Sequence, residues 1–266
     1  MAIEPLYNLK FDQLPVSIYQ SKENLGQAAA EQAASVINQA IRTNGRANII
    51  IATGNSQLTF LAALRTVAID WQKVNIFHMD EYVGIPANHP ASFPVFLEEH
   101  IISHIHPLRF FPVETQTDDL QEACRSYESL LRKYPADLCA LGIGENGHLA
   151  FNDPPYADFN DPVWLKVVKL DEVSRQQQVG EGHFAILEEV PTHAITLTIP
   201  ALLAAKHVIA IVPEARKAAA VYESLTGPIQ VACPATILRQ TPYAHLFLDL
   251  DSAATLLEQK GIAQKS

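Results

Sequence analysis

ANIIIATGNSQLTFLAAL, residues 47–64, decides the fold. It opens on a β-branched run that suits a strand buried on both faces. Thr53, Gly54, Asn55, Ser56 and Gln57 then make a turn, and a helix begins with Asn55 or Ser56 near its start. A buried strand passing through a glycine turn into a helix is the repeating unit of open α/β sheets.

The same alternation extends to both sides. Upstream, residues 1–15 read as an arm or edge strand, and residues 21–41 as a long helix with Ser21 as N-cap. Downstream come a strand ending in acids (74–81), a helix after a proline (91–105) and an amphipathic helix (117–134). That last helix carries its acids early and Arg132 and Lys133 late, as the helix dipole favours. The run DLCALGIG (137–144) is the next strand. VWLKVVKL (163–170), HAITLTIP (193–200) and HVIAIVPE (207–214) follow, then a helix (215–227) stopped by Gly227-Pro228. A short helical piece (233–240), a strand (245–250) and a helix (252–259) end the chain. The order predicts an α/β fold, a doubly wound three-layer arrangement around a mostly parallel sheet. One domain over 1–266 is expected, with 155–190 as long loops or a lid.

Bulk composition narrows the function. The 266 residues carry 19 Lys and Arg against 29 Asp and Glu, a formal charge of −10. No basic field is available to neutralise a nucleic-acid backbone. A small phosphorylated metabolite is compatible, because a cluster of amides with one or two cations can hold a phosphate in an acidic protein. Cys124, Cys139 and Cys233 are far apart and form no metal-ligand spacing. The N-terminus lacks a basic segment followed by an apolar core, and no stretch reaches 18 apolar residues. A cytoplasmic enzyme, with no membrane or nucleic-acid partner, is the expectation.

Three windows carry chemistry. In the first, Thr53, Gly54, Asn55 and Ser56 gather backbone amides and hydroxyls where a strand becomes a helix, which suits a phosphate. The window matches neither a dinucleotide fingerprint nor a P-loop. In the second, FHMDEYVG (77–84), Asp80 follows a buried strand directly and is a candidate general base, with Glu81 as the second acid. In the third, LGIGENGHLAFNDPP (141–155), Asn146, His148, Asn152 and Asp153 sit among Gly142, Gly144 and Gly147. Those glycines suit tight turns and close approach of backbone to a ligand. A histidine there can move protons in either direction near neutral pH, and Asp153 can orient it. No third ligand accompanies His148 and Asp153, so no metal is expected. Lys217 opens a helix where it can point back toward the strand ends.

Over residues 20–250 the chain resembles the glucosamine-6-phosphate deaminase family, which belongs with the 6-phosphogluconolactonases. MDEYVGIPANHPASF (79–93) and LGIGENGHLAFNDP (141–154) carry the resemblance, supported by the ATGNS turn and the ARKA segment at Lys217. It implies a Rossmann-like modified fold and an aldose–ketose transformation of an amino-sugar phosphate, with no cofactor. It also implies roles. Asp80 shuttles a proton between C2 and C1, while His148 opens the sugar ring with Asn146 and Asp153 as its partners. Thr53, Gly54, Asn55, Ser56 and Lys217 bind phosphate, with Gly147 beside them. Two departures stand out. Asp153 replaces the glutamate usual in the deaminases. The segment DEVSRQQQVGEGH (171–183) replaces an asparagine-serine-arginine-phenylalanine run whose arginine grips the phosphate, and Arg175 is the candidate substitute, helped by Gln178 or His183. The alternatives are an isomerase that does not release ammonia, a lactonase and a non-catalytic sugar-phosphate sensor. A monomer or small homo-oligomer is expected.

Overall fold

In the computed structural model, which describes residues 3–154, 156–180 and 182–261, the strands are β1 (Tyr7–Phe11), β2 (Leu14–Tyr19), β3 (Ala47–Ile51), β4 (Val74–His78), β5 (Asp80–Tyr82), β6 (Arg109–Phe111), β7 (Leu138–Leu141), β8 (Leu165–Lys169), β9 (His193–Leu197), β10 (His207–Val212) and β11 (Ala244–Asp249). Helices α1 (Lys22–Asn44), α2 (Leu58–Leu64), α3 (Phe93–Leu97), α4 (Ser103–Ile105), α5 (Leu120–Lys133), α6 (Glu172–Gly180), α7 (Ile199–Leu203), α8 (Ala218–Thr226) and α9 (Ala254–Gln259) connect them.

All five residues of β3 are buried. Successive side chains point to opposite faces: Ile49 and Ile51 enter the core that also takes Leu25, Ala29 and Ile37 of α1, while Ile50 enters the other. Apolar residues on both faces are required because helices cover both. Among the described residues, eight strands form the main sheet in the order β1-β2-β11-β10-β7-β3-β4-β6. Only the β1–β2 pair is antiparallel. From β3 the chain builds outward through β4 to β6, then returns to add β7 on the other side of β3. The crevice beyond the carboxyl ends of β3 and β7 is therefore the topological switch point, where open α/β sheets bind ligands.

The doubly wound pattern holds, with two amendments. The N-terminal segment, expected as an arm or edge strand, does supply the edge strand β1, but as one half of a hairpin that turns at Asp12 with φ 50°. The expected strand over 74–81 is two strands, because the hydrogen-bonding partner changes at the end of β4. Its pairing with β3 ends at Ile51 opposite His78, and Ala52 donates instead to Ala140 of β7 at 2.9 Å. Met79, left without a β3 partner, accepts from Leu197 N–H at 2.7 Å. The chain thereby enters a second sheet, β5-β9-β8, which is antiparallel throughout.

Helices α1 and α2 pack closely at Gly26, where a Cβ would lie 2.7 Å from the Thr59 carbonyl carbon. Helix propensity alone favours alanine over glycine by about 1 kcal/mol. Overpacking against backbone, which cannot rotate aside, costs about 1–3 kcal/mol, so the repulsion should win. Gly26→Ala should lower the urea midpoint of unfolding; an unchanged or raised midpoint would show that α1 and α2 do not meet there.

Candidate active site

An open cleft of about 650 Å³ lies at the switch point. Thr53, Gly54, Asn55, Ser56 and Gln57 form one wall, Gly142, Ile143, Gly144 and His148 another. Asp80 with Met79, Phe93 with Phe151, and Lys217 complete it, and Gln178 of α6 reaches in from the 155–190 segment.

Asp80 is the first residue of β5, where the chain crosses from the main sheet to the small one. It is buried, and burial, followed by the neighbouring Glu81 charge, pushes its carboxyl well above the usual aspartate range. Among the described residues no hydrogen-bond donor faces that carboxyl. Glu81 points the other way. Its Oε1 accepts from Tyr82 N–H at 2.7 Å, and its Oε2 accepts from Ser92 Oγ at 2.6 Å and Phe93 N–H at 3.1 Å. Burial still raises it to about 7, although these donors oppose the shift. Glu81 thus ties β5 to the start of α3 and positions Phe93 on the cleft wall. Beneath Asp80, Tyr127 braces the end of β4: its hydroxyl accepts from His78 N–H at 3.1 Å and lies 3.0 Å from the His78 carbonyl. His78 Nε2 accepts from Val113 N–H at 2.8 Å, and burial lowers its pKa to about 3. This histidine is neutral scaffold.

His148 is oriented from behind. Its Nδ1 lies 3.0 Å from Asp153 Oδ1, and Asn146 Nδ2 donates to the same oxygen at 3.0 Å. Asn146 Oδ1 in turn accepts from His148 N–H at 3.1 Å. A carboxylate at Nδ1 places the ring proton there and leaves Nε2 as the basic nitrogen. Gly144 lets the imidazole lie against the backbone, since a Cβ there would sit 2.2 Å from Cε1. Gly147, at φ 83°, makes the turn, and Asn152 Nδ2 anchors the loop by donating to the carbonyls of Leu149 at 2.7 Å and Leu197 at 2.8 Å.

The turn Ala215–Lys217 starts after β10 and presents Lys217, 3% exposed, to the cleft opposite the 53–57 loop. Gln57 spans the gap, donating to Ile211 O at 3.2 Å.

Of the residues singled out from sequence, Thr53, Gly54, Asn55, Ser56, Asp80, His148 and Lys217 line the cleft. Asn146 and Asp153 stand behind His148, Gly147 shapes its loop, and Glu81 supports Phe93. Arg175 departs from expectation. Its Nη2 donates to the carbonyls of Leu187 at 2.6 Å and Val190 at 2.9 Å, tying α6 to the segment that follows it, and it does not line the cleft. The backbone carbonyls capture the guanidinium before it can reach the pocket. Gln178 does reach the cleft, whereas His183 does not line it. Sequence reading missed Phe93 and Phe151, whose aromatic character alone does not separate wall from core. It also missed Arg216, whose one signal was adjacency to Lys217.

The family model for glucosamine-6-phosphate isomerases/6-phosphogluconolactonase matches residues 20–246. The chain belongs to that family. A protein from Bacillus thuringiensis (strain Al Hakam) named glucosamine-6-phosphate deaminase is 34% identical over 229 residues, 86% of each chain. The structure of a monomeric glucosamine-6-phosphate deaminase superposes with a TM-score of 0.84 at 29% identity, covering 90% of this chain and 99% of the other. A 6-phosphogluconolactonase from Shewanella baltica OS155 superposes with a TM-score of 0.73 at 19% identity, covering 88% and 97%, and shares the fold.

Two predictions concern this family member's site. Gly144→Ala should displace the His148 ring and lower kcat/KM by about a hundredfold or more with the circular dichroism spectrum unchanged; full activity would mean that the ring does not lie over Gly144. Asp80→Asn tests the buried acid. A carboxyl with a raised folded-state pKa keeps its proton where the unfolded chain has lost it, so stability falls as pH rises above about 4, the ordinary aspartate value. Glu81 adds a fall between its ordinary 4.5 and about 7. Asp80→Asn removes the first contribution. Its melting temperature should decline less than that of the wild type between about pH 5 and 8, and parallel curves would refute the raised pKa.

Proposed function

We propose that the chain is an isomerase and deaminase of an amino-sugar phosphate, taking glucosamine 6-phosphate to fructose 6-phosphate and ammonia. The reading rests on one observation: a buried carboxyl, Asp80, and a carboxylate-oriented imidazole, His148, line the same cleft as a glycine-turn loop and a buried lysine. The relatives named glucosamine-6-phosphate deaminase support it.

The residues divide the work. Thr53, Gly54, Asn55 and Ser56 hold the phosphate through hydroxyl and amide donors, with Lys217 supplying the charge. His148 moves a proton at the ring oxygen as the C1–O5 bond breaks, which exposes a carbonyl at C1. Asp153 and Asn146 keep the imidazole aligned, and Asp153 stabilises it when it is charged. The carbonyl acidifies the C2–H, and Asp80 takes that proton and returns it at C1. C1 is thereby reduced to an alcohol and C2 oxidised to an imine; water adds at C2 and ammonia leaves. The transfer is internal, so no redox cofactor is needed. Burial makes ionised Asp80 a stronger base than a solvated carboxylate, and an ammonium group at C2 beside it would favour the ionised form. We place the reaction in the cytoplasm and assign Gln178 and its segment to the closing wall, in a monomer or small homo-oligomer.

The test uses glucosamine 6-phosphate in deuterated water. Ammonia should appear together with deuterium at C1 of the product. Deuterium without ammonia would assign isomerisation alone, and rapid opening of a phosphorylated lactone with neither signal would overturn the reading. Asp80→Asn should lower exchange by at least about a hundredfold while the affinity for substrate changes little.

A further inference from the structure

Arg216 lies outside the residues just assigned, yet it joins three segments of the site. Its Nε lies 2.9 Å from Glu214 Oε2, its Nη1 3.1 Å from Glu145 Oε1 in the loop that carries His148, and its Nη2 donates to Ser56 Oγ at 3.2 Å. Glu214 takes up φ 83°, a conformation that side-chain-bearing residues adopt only under strain. Its N–H is held by both carboxylate oxygens of Asp249, at 3.2 and 3.1 Å. This rigid corner places Arg216 and Lys217 side by side.

Two edges of the guanidinium are engaged by carboxylates, so Arg216 is poorly placed to grip an anion bidentately. Its effect passes through Ser56. A serine hydroxyl has one proton and two lone pairs. By occupying a lone pair, Arg216 turns the hydroxyl proton away from itself, and among the described residues no acceptor receives that proton. Ser56 lines the cleft, so an anionic oxygen there is the group that can take it. Arginine cannot reverse the bond, because it has no acceptor.

We propose that Arg216 is a positioning residue that sets the Ser56 hydroxyl as a donor to the substrate phosphate and couples the phosphate loop to the histidine loop through Glu145. The inference rests on the phosphate reading of the 53–56 loop. Its test therefore begins with inorganic phosphate, which needs no assumption about the sugar.

The dissociation constant for phosphate is measured by calorimetry or ³¹P NMR in the wild type, Ser56→Ala, Arg216→Met, Arg216→Gln and the double variants. Met and Gln both remove the guanidinium but differ in polarity, so that a folded variant is at hand. Removing the guanidinium should weaken phosphate binding about tenfold, the scale of one charge-assisted hydrogen bond. In the Ser56→Ala background the same change should have almost no further effect. With glucosamine 6-phosphate, KM should rise by a similar factor while kcat stays within about twofold. Undiminished phosphate binding in a folded Arg216 variant, or losses that add fully with Ser56→Ala, would overturn the proposal. If the wild type itself binds no phosphate, the phosphate reading falls and this inference with it.

Discussion

The backbone N–H and carbonyl of Leu197 hold the two halves of the site together. Its N–H donates to the carbonyl of Met79, the residue before Asp80, at 2.7 Å, and its carbonyl accepts from Asn152 in the histidine loop at 2.8 Å. Next to it, Thr196 pairs with Asp80 across the small sheet, and its hydroxyl accepts from Phe151 N–H at 3.1 Å. The end of β9 therefore sets the spacing between Asp80 and the loop that carries His148. Buried peptide groups must be paired, so neither half can shift without leaving a buried polar group unsatisfied. The small sheet is a clamp across the mouth of the larger one.

The two adjacent acids show how position decides role. Asp80 and Glu81 are both buried carboxyls, and both are pushed upward in pKa by that burial. Glu81 receives three donors and becomes a strut. Asp80 receives none among the described residues and faces the cleft. Alternation along β5 is responsible: neighbouring side chains on a strand face opposite sides, so one acid meets the cleft and the other meets α3. A carboxyl held without donors weakens the fold, a cost that active sites commonly carry.

Much of this was legible in the chain. The run at 47–51 carries its burial on both faces in its own composition, and the turn that follows announces itself by Gly54. Asp80 stands just after a strand, and His148 and Lys217 lie in the loops that follow strands, where an α/β sheet delivers side chains to its switch point. Arg175 was misjudged for a physical reason. An arginine on a short helix can satisfy the backbone carbonyls of the segment that follows as well as a phosphate, and local spacing does not say which is nearer. The second sheet was equally hidden, because MDEY follows β4 without a turn signal, and only the change of partner from β3 to Leu197 after His78 makes the break.

The order of elements, the parallel sheet, the acid at 80 and the histidine at 148 were determined by the sequence alone, since periodicity and turn chemistry are local properties. Tertiary structure decided the rest: that Asp80 rather than Glu81 faces the cleft, that His148 and Asn146 share one oxygen of Asp153, and that Arg216 meets Ser56 across 160 positions of chain. These depend on which distant backbone fills a missing hydrogen bond, and a linear pattern does not encode that choice.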